Sequence, residues 1–235
     1  LLVNSDKCII NANSDHLEDI YMAAKATTQT EDIYMFARRD TGVPVKYPVD
    51  FYFWSTVDSL NENKIEIAPV SGKAKKLGLA GKFTISMPGD YNEENATAAA
   101  IATTLSGASA ADVAYGLSHT TIPGRMEAHK TNHHGTVYVD YAHNYASMHS
   151  VLAFLRANDA KGKIFVVTGS AGDKGVDRRP GLGKAIGQNA DVAYLTTDDP
   201  GSEDPQEIAQ TIADNINNPA VKHEYIADRK TAITR

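Results

Sequence analysis

Residues 164–197 read IFVVTGSAGDKGVDRRPGLGKAIGQNADVAYLTT, and this stretch decides the fold class. It begins and ends in short apolar runs rich in β-branched and aromatic residues, which are typical of buried strands. Between the runs, a glycine-rich loop leads into a helical pattern at 180–189. A strand, a helix and a second strand in this order predict a right-handed βαβ unit of a parallel sheet.

The same alternation extends on both sides of this unit. Pro123 and Gly124 interrupt the chain before it begins, so we place the domain boundary near 118–124 and predict domains at 1–120 and 121–235. The second domain is predicted to be a Rossmann-like, mostly parallel sheet with helices on both faces. Its predicted strands are 137–141, 164–168, 192–197 and 223–226, and its predicted helices are 145–157, 180–189 and 205–216.

The first domain has a different texture, although the α/β class still applies. A strand at 8–11 precedes a helix for which Asp15 is the predicted N-cap, and residues 33–87 are rich in β-forming residues. Helices are predicted at 92–105 and, with Ser109 as N-cap, at 109–117. Because Leu1 is not an initiator methionine and the last residues resemble the start of a helix, we expect a fragment.

Composition excludes several classes of protein. A net charge of −6 gives no broad basic surface for nucleic acid or anionic lipid. No run approaches the roughly 18 to 20 apolar residues that cross a bilayer. The one cysteine, Cys8, lies in an apolar run and is predicted to be a core residue. We therefore expect a cytoplasmic protein without nucleic-acid or membrane partners.

Polar residues follow each predicted strand of the second domain, where an open parallel sheet binds ligands. After the first strand, Asp140 could accept hydrogen bonds from a ribose, although capping would explain it equally well. After the second, backbone N–H groups and basic side chains of the glycine-rich loop suit a carboxylate or phosphate, although an ordinary loop explains them too. The four segments are 140–144, 169–179, 198–204 and 227–230.

The third of these segments is strongly acidic. Asp204 precedes Pro205 and is predicted to cap a helix. Asp198 and Asp199 are left over, and uncompensated carboxylates at a strand end suggest a bound cation or ammonium group. In the first domain, Asn92 and Asn95 lie three residues apart on one predicted helix face, where paired amides could bind a purine edge. Helix capping is the alternative and would account for one of the two asparagines.

The order of these motifs resembles the Mur ligases, and specifically the MurE type. The resemblance covers about residues 81–230, with a weaker likeness at 9–13. It rests on five motifs in the family's order, namely Asn92 with Asn95, then 124–127, 140–143, 169–180 and 198–200.

The resemblance implies a set of ATP-binding residues. Asn92 and Asn95 match the F-N-x-x-N signature, with Tyr91 in place of Phe, and would contact the adenine side of ATP. Arg125 and Asp140 match residues that hold the ribose and phosphate region. His143 closes a D-Y-A-H signature that usually continues with Ser or Thr and then Pro, whereas this chain continues with Asn144 and Tyr145.

Acceptor selection is implied by the segment after the third strand. Diaminopimelate-adding members have D-N-P-R there, whereas this chain has Asp198-Asp199-Pro200-Gly201 and lacks the arginine. Lys174 stands where those members have another substrate-facing arginine. The change to Asp199 and Gly201 makes the segment more negative, which favours an ammonium group over a carboxylate. We therefore expect L-lysine as the acceptor, with ornithine and meso-diaminopimelate as alternatives.

The resemblance also implies the reaction. A whole enzyme of this type would use ATP and Mg²⁺ to phosphorylate UDP-N-acetylmuramoyl-L-alanyl-D-glutamate, and a free amino acid would then attack the acyl phosphate. No Gly-Lys pair in this chain precedes Ser or Thr, so the phosphate-binding loop is missing. We expect the catalytic residues and magnesium ligands upstream of Leu1, no ligase activity from these 235 residues alone, and a monomeric protein. A folylpolyglutamate synthase-like ligase and a catalytically silent paralogue remain alternatives.

Two other patterns are weaker. His129, His133 and His134 lack strict metal-ligand spacing, so we predict no metal site in this chain. Gly181, Gly183 and Gly187 miss the G-x-G-x-x-G spacing, which disfavours a nicotinamide dehydrogenase.

Overall fold

The computed structural model describes residues 5–39, 46–59, 62–132, 135–158 and 162–235. The chain forms two compact units, Leu1–Glu127 and Ala128–Arg235. Each unit combines strands with helices, which confirms the α/β class. The strands are β1 (Cys8–Asn11), β2 (Ile33–Arg38), β3 (Phe51–Asp58), β4 (Asn63–Pro69), β5 (Gly81–Ile85), β6 (Glu127–Lys130), β7 (Thr136–Val139), β8 (Phe165–Thr168), β9 (Val192–Leu195) and β10 (Lys222–Tyr225). The helices are α1 (Leu17–Lys25), α2 (Gly72–Lys76), α3 (Asp90–Leu105), α4 (Ala110–His119), α5 (Tyr145–Asn158), α6 (Arg178–Asn189), α7 (Pro205–Ala213) and α8 (Arg229–Thr234).

The first unit contains a five-stranded mixed sheet in the order β1-β2-β3-β4-β5. β1, β2 and β3 are parallel, whereas β4 runs antiparallel to both β3 and β5. Buried and more exposed residues alternate along β3 and β4 because one face of the sheet packs on the core. The buried side chains are Phe51, Phe53, Ile65 and Ile67, and Ile101 of α3 packs against them.

Two predicted helix starts in this unit have different outcomes. Ser109 caps α4 through a capping box with Asp112, as predicted. The prediction for Asp15 is wrong, because α1 begins at Leu17 and no side chain caps it. A turn in which Ser14 N–H donates to the Asn11 carbonyl connects β1 to α1, and Asp15 lies just after it.

The second unit contains a three-stranded parallel sheet in the order β10-β9-β8. Side chains of α5, α6 and α7 form one core with β8 and β9. α6 and α7 approach closely at Gly183, where a Cβ would lie 2.2 Å from the Ile212 carbonyl oxygen. Helix α6 begins at Arg178, two residues before the predicted start at Pro180.

The predicted first strand of the parallel sheet is the main error in the fold prediction. Residues 136–139 form β7, which pairs with β6 in a separate two-stranded sheet. The Thr131 N–H donates to the Gly135 carbonyl at 2.9 Å and brings β7 next to β6. Val137 and Val139 are 48% and 45% exposed, so this apolar alternation does not mark a buried strand.

Cys8 is buried with the residues of β1 and β2, as predicted for a core residue. Within the described ranges, no helix combines the length and apolar character needed to cross a membrane.

Candidate functional site

The carboxyl ends of β8, β9 and β10 lie at one edge of the parallel sheet. Thr168 pairs with Leu195, and Leu195 pairs with Tyr225, so the three strands end level with one another. The loops that follow are 169–177, 196–204 and 226–228. We call 169–177 the glycine loop and 196–204 the acidic loop. Polar side chains that were predicted at separate strand ends are therefore neighbours here.

The glycine loop and the acidic loop are in backbone contact. The Gly172 N–H donates to the Asp199 carbonyl at 2.7 Å. A Cβ on Gly172 would lie 1.8 Å from the Pro200 carbonyl oxygen, and one on Gly169 would lie 2.3 Å from the Thr196 carbonyl oxygen. Glycine is required at both positions because no side chain fits between the loops.

A bidentate ion pair joins the start of α6 to the acidic loop. The two terminal nitrogens of Arg179 each lie 2.8 Å from a different carboxylate oxygen of Glu203. Arg179 is buried, with 4% of its side chain exposed, and also donates to the Ala171 carbonyl. Arg179, helped by the Asp173 N–H, lowers the pKa of Glu203 from its ordinary 4.5 to about 2. Arg179 is one of the basic side chains of segment 169–179, which the sequence suggested as suited to a carboxylate or phosphate, but its guanidinium is used within the protein.

Asp173 makes a second link between the same loops. Its carboxylate accepts from the Ser202 N–H at 2.8 Å and from the Ser202 hydroxyl at 2.6 Å. These bonds hold the pKa of Asp173 below its ordinary value. Gly201 has φ +57°, and a Cβ there would lie 2.0 Å from the Asp173 Oδ2 atom. The positive φ at position 201 favours glycine, and Asp173 leaves no space there for a Cβ atom.

The predicted acceptor residues lie on the exposed side of these links. Lys174 and Asp199 are 72% and 77% exposed, and their charged atoms are 4.0 Å apart. Asp198 lies 3.3 Å from Arg229, which also donates to the Thr197 carbonyl. The expectation of uncompensated carboxylates is thus wrong, because a basic side chain lies beside each aspartate. Arg229 comes from the start of α8, in the segment 227–230 that the sequence placed after the last strand of the same sheet, although no motif singled it out.

The paired asparagines of the first unit differ in exposure. Asn92 is 3% exposed, and its amide donates to the Pro88 carbonyl at 2.7 Å, one turn back. Asn95 is exposed. Both residues lie near the start of α3, but only Asn95 presents its amide to solvent.

The other three residues predicted to bind nucleotide lie in loops or at their ends. Arg125 is half-buried in the first unit. Asp140 accepts from the Ala142 N–H at 2.8 Å, which is the local turn-forming bond of an aspartate after a strand. His143 is exposed, and its Nδ1 lies 2.9 Å from the Tyr141 carbonyl oxygen.

A buried ion pair in the first unit was not predicted from the sequence. Arg38 at the end of β2 lies 2.6 Å from Glu93 of α3, which is fully buried. Burial raises the pKa of Glu93, and the charge of Arg38 opposes this shift. The pair fixes the first turn of α3, which contains Asn92, and Asn95 follows in the second turn.

The histidines do not form a metal site within the described residues. In the part of the chain that the structure describes, no group of three or more His, Cys, Asp or Glu residues is arranged to hold a metal ion. His133 and His134 lie outside the described residues, and His129 is an exposed residue of β6.

Comparison with known proteins identifies the family. Residues 124–235 match the family described as Mur ligase, glutamate ligase domain. A UDP-N-acetylmuramyl-tripeptide synthetase of Ligilactobacillus salivarius (strain UCC118) is 49% identical over 235 residues, which are 100% of this chain and 46% of that protein. The UDP-N-acetylmuramoyl-L-alanyl-D-glutamate--L-lysine ligase of Enterococcus faecalis (strain ATCC 700802 / V583) is 40% identical over 217 residues, covering 92% of this chain and 40% of that protein.

A solved structure supports the fold. MurF from Acinetobacter baumannii superimposes with a TM-score of 0.65 at 17% identity, covering 96% of this chain and 43% of that chain. The family match and the whole-chain alignments agree, and the chain belongs to the Mur ligases. Its relatives are of the MurE type, the UDP-N-acetylmuramyl-tripeptide synthetases, which are acid–amino-acid ligases. The chain spans 46% of the length of the synthetase from L. salivarius.

Proposed function

We propose that this chain is the nucleotide-facing and amino-acid-selecting part of a MurE-type ligase. The observation that carries the proposal is the alignment of the whole chain, at 49% identity, with a tripeptide synthetase. The complete protein would act in the cytoplasm as a monomer, on UDP-N-acetylmuramoyl-L-alanyl-D-glutamate and a free amino acid. ATP would transfer its γ-phosphate to the terminal carboxylate. The amino group of the amino acid would then attack the carbonyl carbon, lose a proton and expel inorganic phosphate.

The exposed edge of the two loops is suited to a zwitterion. Lys174 and Asp199 form a long, exposed ion pair, which contributes roughly 0 to 1 kcal/mol in such settings. An amino acid can therefore replace this pair at little cost. In the proposed arrangement, Lys174 binds a carboxylate of the acceptor and Asp199 binds an ammonium group.

Three observations support L-lysine as the acceptor. Position 201 is glycine, so it carries no side-chain charge for the second carboxylate of diaminopimelate. Arg229 lies beside Asp198, which leaves Asp199 as the more exposed acidic partner for a terminal ammonium. A relative that is 40% identical is a lysine ligase.

The family resemblance supports nucleotide-binding residues in each unit taken separately. In the first unit, Asn95 would contact the adenine, Asn92 would order the start of α3, and Arg125 would bind the ribose and phosphate region. In the second unit, Asp140 and His143 would contribute ATP-binding groups. For Mg²⁺, we assign no ligand among the described residues, in which no group of three or more His, Cys, Asp or Glu residues could hold a metal ion.

Phosphate release by the full-length protein tests the function. Assays would contain ATP, magnesium, the muramyl dipeptide and one amino acid at a time. We expect kcat/KM for L-lysine to exceed that for meso-diaminopimelate by about tenfold or more, because the second carboxylate of diaminopimelate would meet no cation at position 201. It should exceed that for ornithine by about tenfold, because ornithine is shorter by one methylene. The 235-residue chain alone should release no phosphate, because no Gly-Lys in it precedes Ser or Thr.

Two outcomes would contradict the proposal. A preference for meso-diaminopimelate would reject lysine as the acceptor while keeping the ligase function. Absence of phosphate release with every amino acid would indicate a catalytically silent paralogue.

A further inference from the structure

We propose that Arg179 is a positioning residue for the acceptor amino acid: by holding Glu203, it fixes the acidic loop on the glycine loop and so sets the distance between Lys174 and Asp199. This inference rests on the proposed function. Under this proposal, Arg179 itself binds neither the substrate nor the nucleotide.

Both terminal nitrogens of the Arg179 guanidinium donate to protein oxygens, and its Nε, which has no hydrogen-bond partner among the described residues, is buried away from solvent. One terminal nitrogen donates to Glu203, and the other donates to both Glu203 and the Ala171 carbonyl. Only 4% of the Arg179 side chain is exposed. A substrate carboxylate would have to displace Glu203 from a bidentate pair, which is the strongest geometry available to arginine.

The pair is the centre of a set of bonds that joins the two loops. Glu203 Oε1 also accepts from the Asp173 N–H at 2.6 Å. The Asp173 side chain then accepts from Ser202, and the Gly172 N–H donates to the Asp199 carbonyl. Arg179 therefore acts on Lys174 through Asp173, its neighbour in sequence, and on Asp199 through the acidic loop.

This arrangement explains why the acceptor residues can be exposed and still be placed accurately. The long side chain of Lys174 reaches into solvent, but its backbone is fixed on one side by Asp173. The backbone of Asp199 is fixed by Gly172. Misplacement of a binding group by about 1 Å can lower a rate roughly a hundredfold, so the links behind the site matter as much as the charges in it.

Arg179→Lys provides the most direct test. It keeps the positive charge and most of the side-chain volume, but a single ammonium cannot bind both oxygens of Glu203 in the planar fork that arginine forms. Glu203→Gln is the milder partner change, and Arg179→Glu combined with Glu203→Arg restores an ion pair in the opposite sense.

The chain offers a matched control in Arg156. The Arg156 Nη2 atom lies 2.6 Å from Asp191 Oδ2. Asp191 directly precedes β9, so this pair lies at the opposite end of the sheet from Arg179. Arg156→Lys weakens an arginine–carboxylate pair of the same unit without touching either loop. It therefore reports the general effect of losing such a pair on stability and activity.

The experiment measures KM for L-lysine, KM for ATP, kcat and the thermal midpoint in the full-length ligase. We expect Arg179→Lys and Glu203→Gln to lower kcat/KM for lysine by about 10- to 100-fold, with KM for ATP within about twofold of wild type. The charge-swapped double variant should recover part of this loss, and Arg156→Lys should change kcat/KM for lysine by less than about threefold.

Hydrogen–deuterium exchange provides a readout that does not depend on turnover. Amides of 170–174 and 199–203 should exchange faster in Arg179→Lys than in Arg156→Lys. Three results would overturn the inference. In the first, Arg179→Lys and Arg156→Lys lose kcat/KM for lysine in the same proportion to their loss of thermal midpoint. In the others, KM for ATP changes as much as KM for lysine, or hydrogen exchange in the two loops is unchanged. If wild-type protein adds no amino acid at all, the proposed function fails first, and a positioning role fails with it.

Discussion

A Cβ atom on Gly172 would lie 1.8 Å from the carbonyl oxygen of Pro200. The glycine loop and the acidic loop therefore meet backbone to backbone at this point. Since Pro200 follows the two aspartates proposed to select the acceptor, any side chain at position 172 must push those aspartates away from Lys174.

Gly172→Ala tests this contact. The added methyl group forces the loops apart, so we expect kcat/KM for the amino acid to fall about 10- to 100-fold. Overpacking should also lower the free energy of unfolding by about 1 to 3 kcal/mol. Steady-state kinetics and thermal unfolding of the full-length protein measure both effects.

Gly116→Ala is the matched control. Gly116 lies within α4, and a Cβ added there would meet no neighbouring atom within 4 Å, so alanine fits. The exchange should stabilise the protein by roughly 0.5 to 1 kcal/mol, because alanine is the better helix former. Wild-type kinetics for Gly172→Ala would show that the close approach does not constrain the site.

The ion pair of Glu203 predicts a pH dependence of stability. Its pKa is lowered in the folded protein from 4.5 to about 2, so the folded state binds fewer protons than the unfolded state between these values. The stabilisation by Glu203 is therefore fully present above pH 4.5 and is lost as the pH falls through about 2. In urea unfolding, the difference in free energy of unfolding between wild type and Glu203→Gln should become smaller as the pH falls through this range. A difference that does not change with pH would contradict the role of the Arg179–Glu203 pair.

The Arg38–Glu93 pair also predicts a pH dependence of stability, in a variant that removes the cation instead of the carboxylate. Arg38→Met leaves a fully buried carboxylate without its cation, and removing one partner of a buried pair costs about 3 to 5 kcal/mol. Burial already raises the pKa of Glu93, so the variant can recover stability by protonating it. The loss relative to wild type should thus be larger at pH 8 than at pH 5. The double variant Arg38→Met with Glu93→Gln should be more stable than Arg38→Met alone, and equal stability of the two would reject the explanation.

Gly201→Arg tests acceptor selection. The arginine adds a charge for the second carboxylate of meso-diaminopimelate, so preference should move toward that amino acid. The structure predicts only a partial change, because φ at position 201 is +57° and Asp173 occupies the space of a Cβ. Holding a side chain in this backbone region costs roughly 1 to 2 kcal/mol. Gly201→Ala separates this strain from the charge, and an equal shift in preference for both variants would contradict a role for the charge.

Much of the fold follows from local patterns in the sequence. Ser109 with Asp112 satisfies the N–H groups at the start of a helix, so the cap can be predicted from four neighbouring residues. The strand at 136–139 could not be placed in the same way. Alternating Val137 and Val139 indicate a strand, but its partner depends on the turn at Thr131 and Gly135 and not on the strand's own residues.

The candidate site shows the same limit. Lys174, Asp198, Asp199 and Gly201 could be proposed from motifs, and whether they bind an amino acid stays a prediction. Arg179 and Glu203 are 24 residues apart in sequence, and their pairing arises only when parallel strands bring two loops to one edge. Arg179 had a sufficient local explanation as a basic residue after a strand, and Glu203 as one acid of a strongly acidic segment, so neither indicated the pairing.

One competition experiment tests the central claim most directly. The full-length protein is incubated with ATP, magnesium, UDP-N-acetylmuramoyl-L-alanyl-D-glutamate and equal concentrations of L-lysine, ornithine and meso-diaminopimelate, and the product is identified by mass spectrometry. We expect an ATP-dependent tripeptide product that carries lysine. A product that carries ornithine or diaminopimelate would contradict lysine as the acceptor, and the absence of any ATP-dependent product would contradict the ligase function.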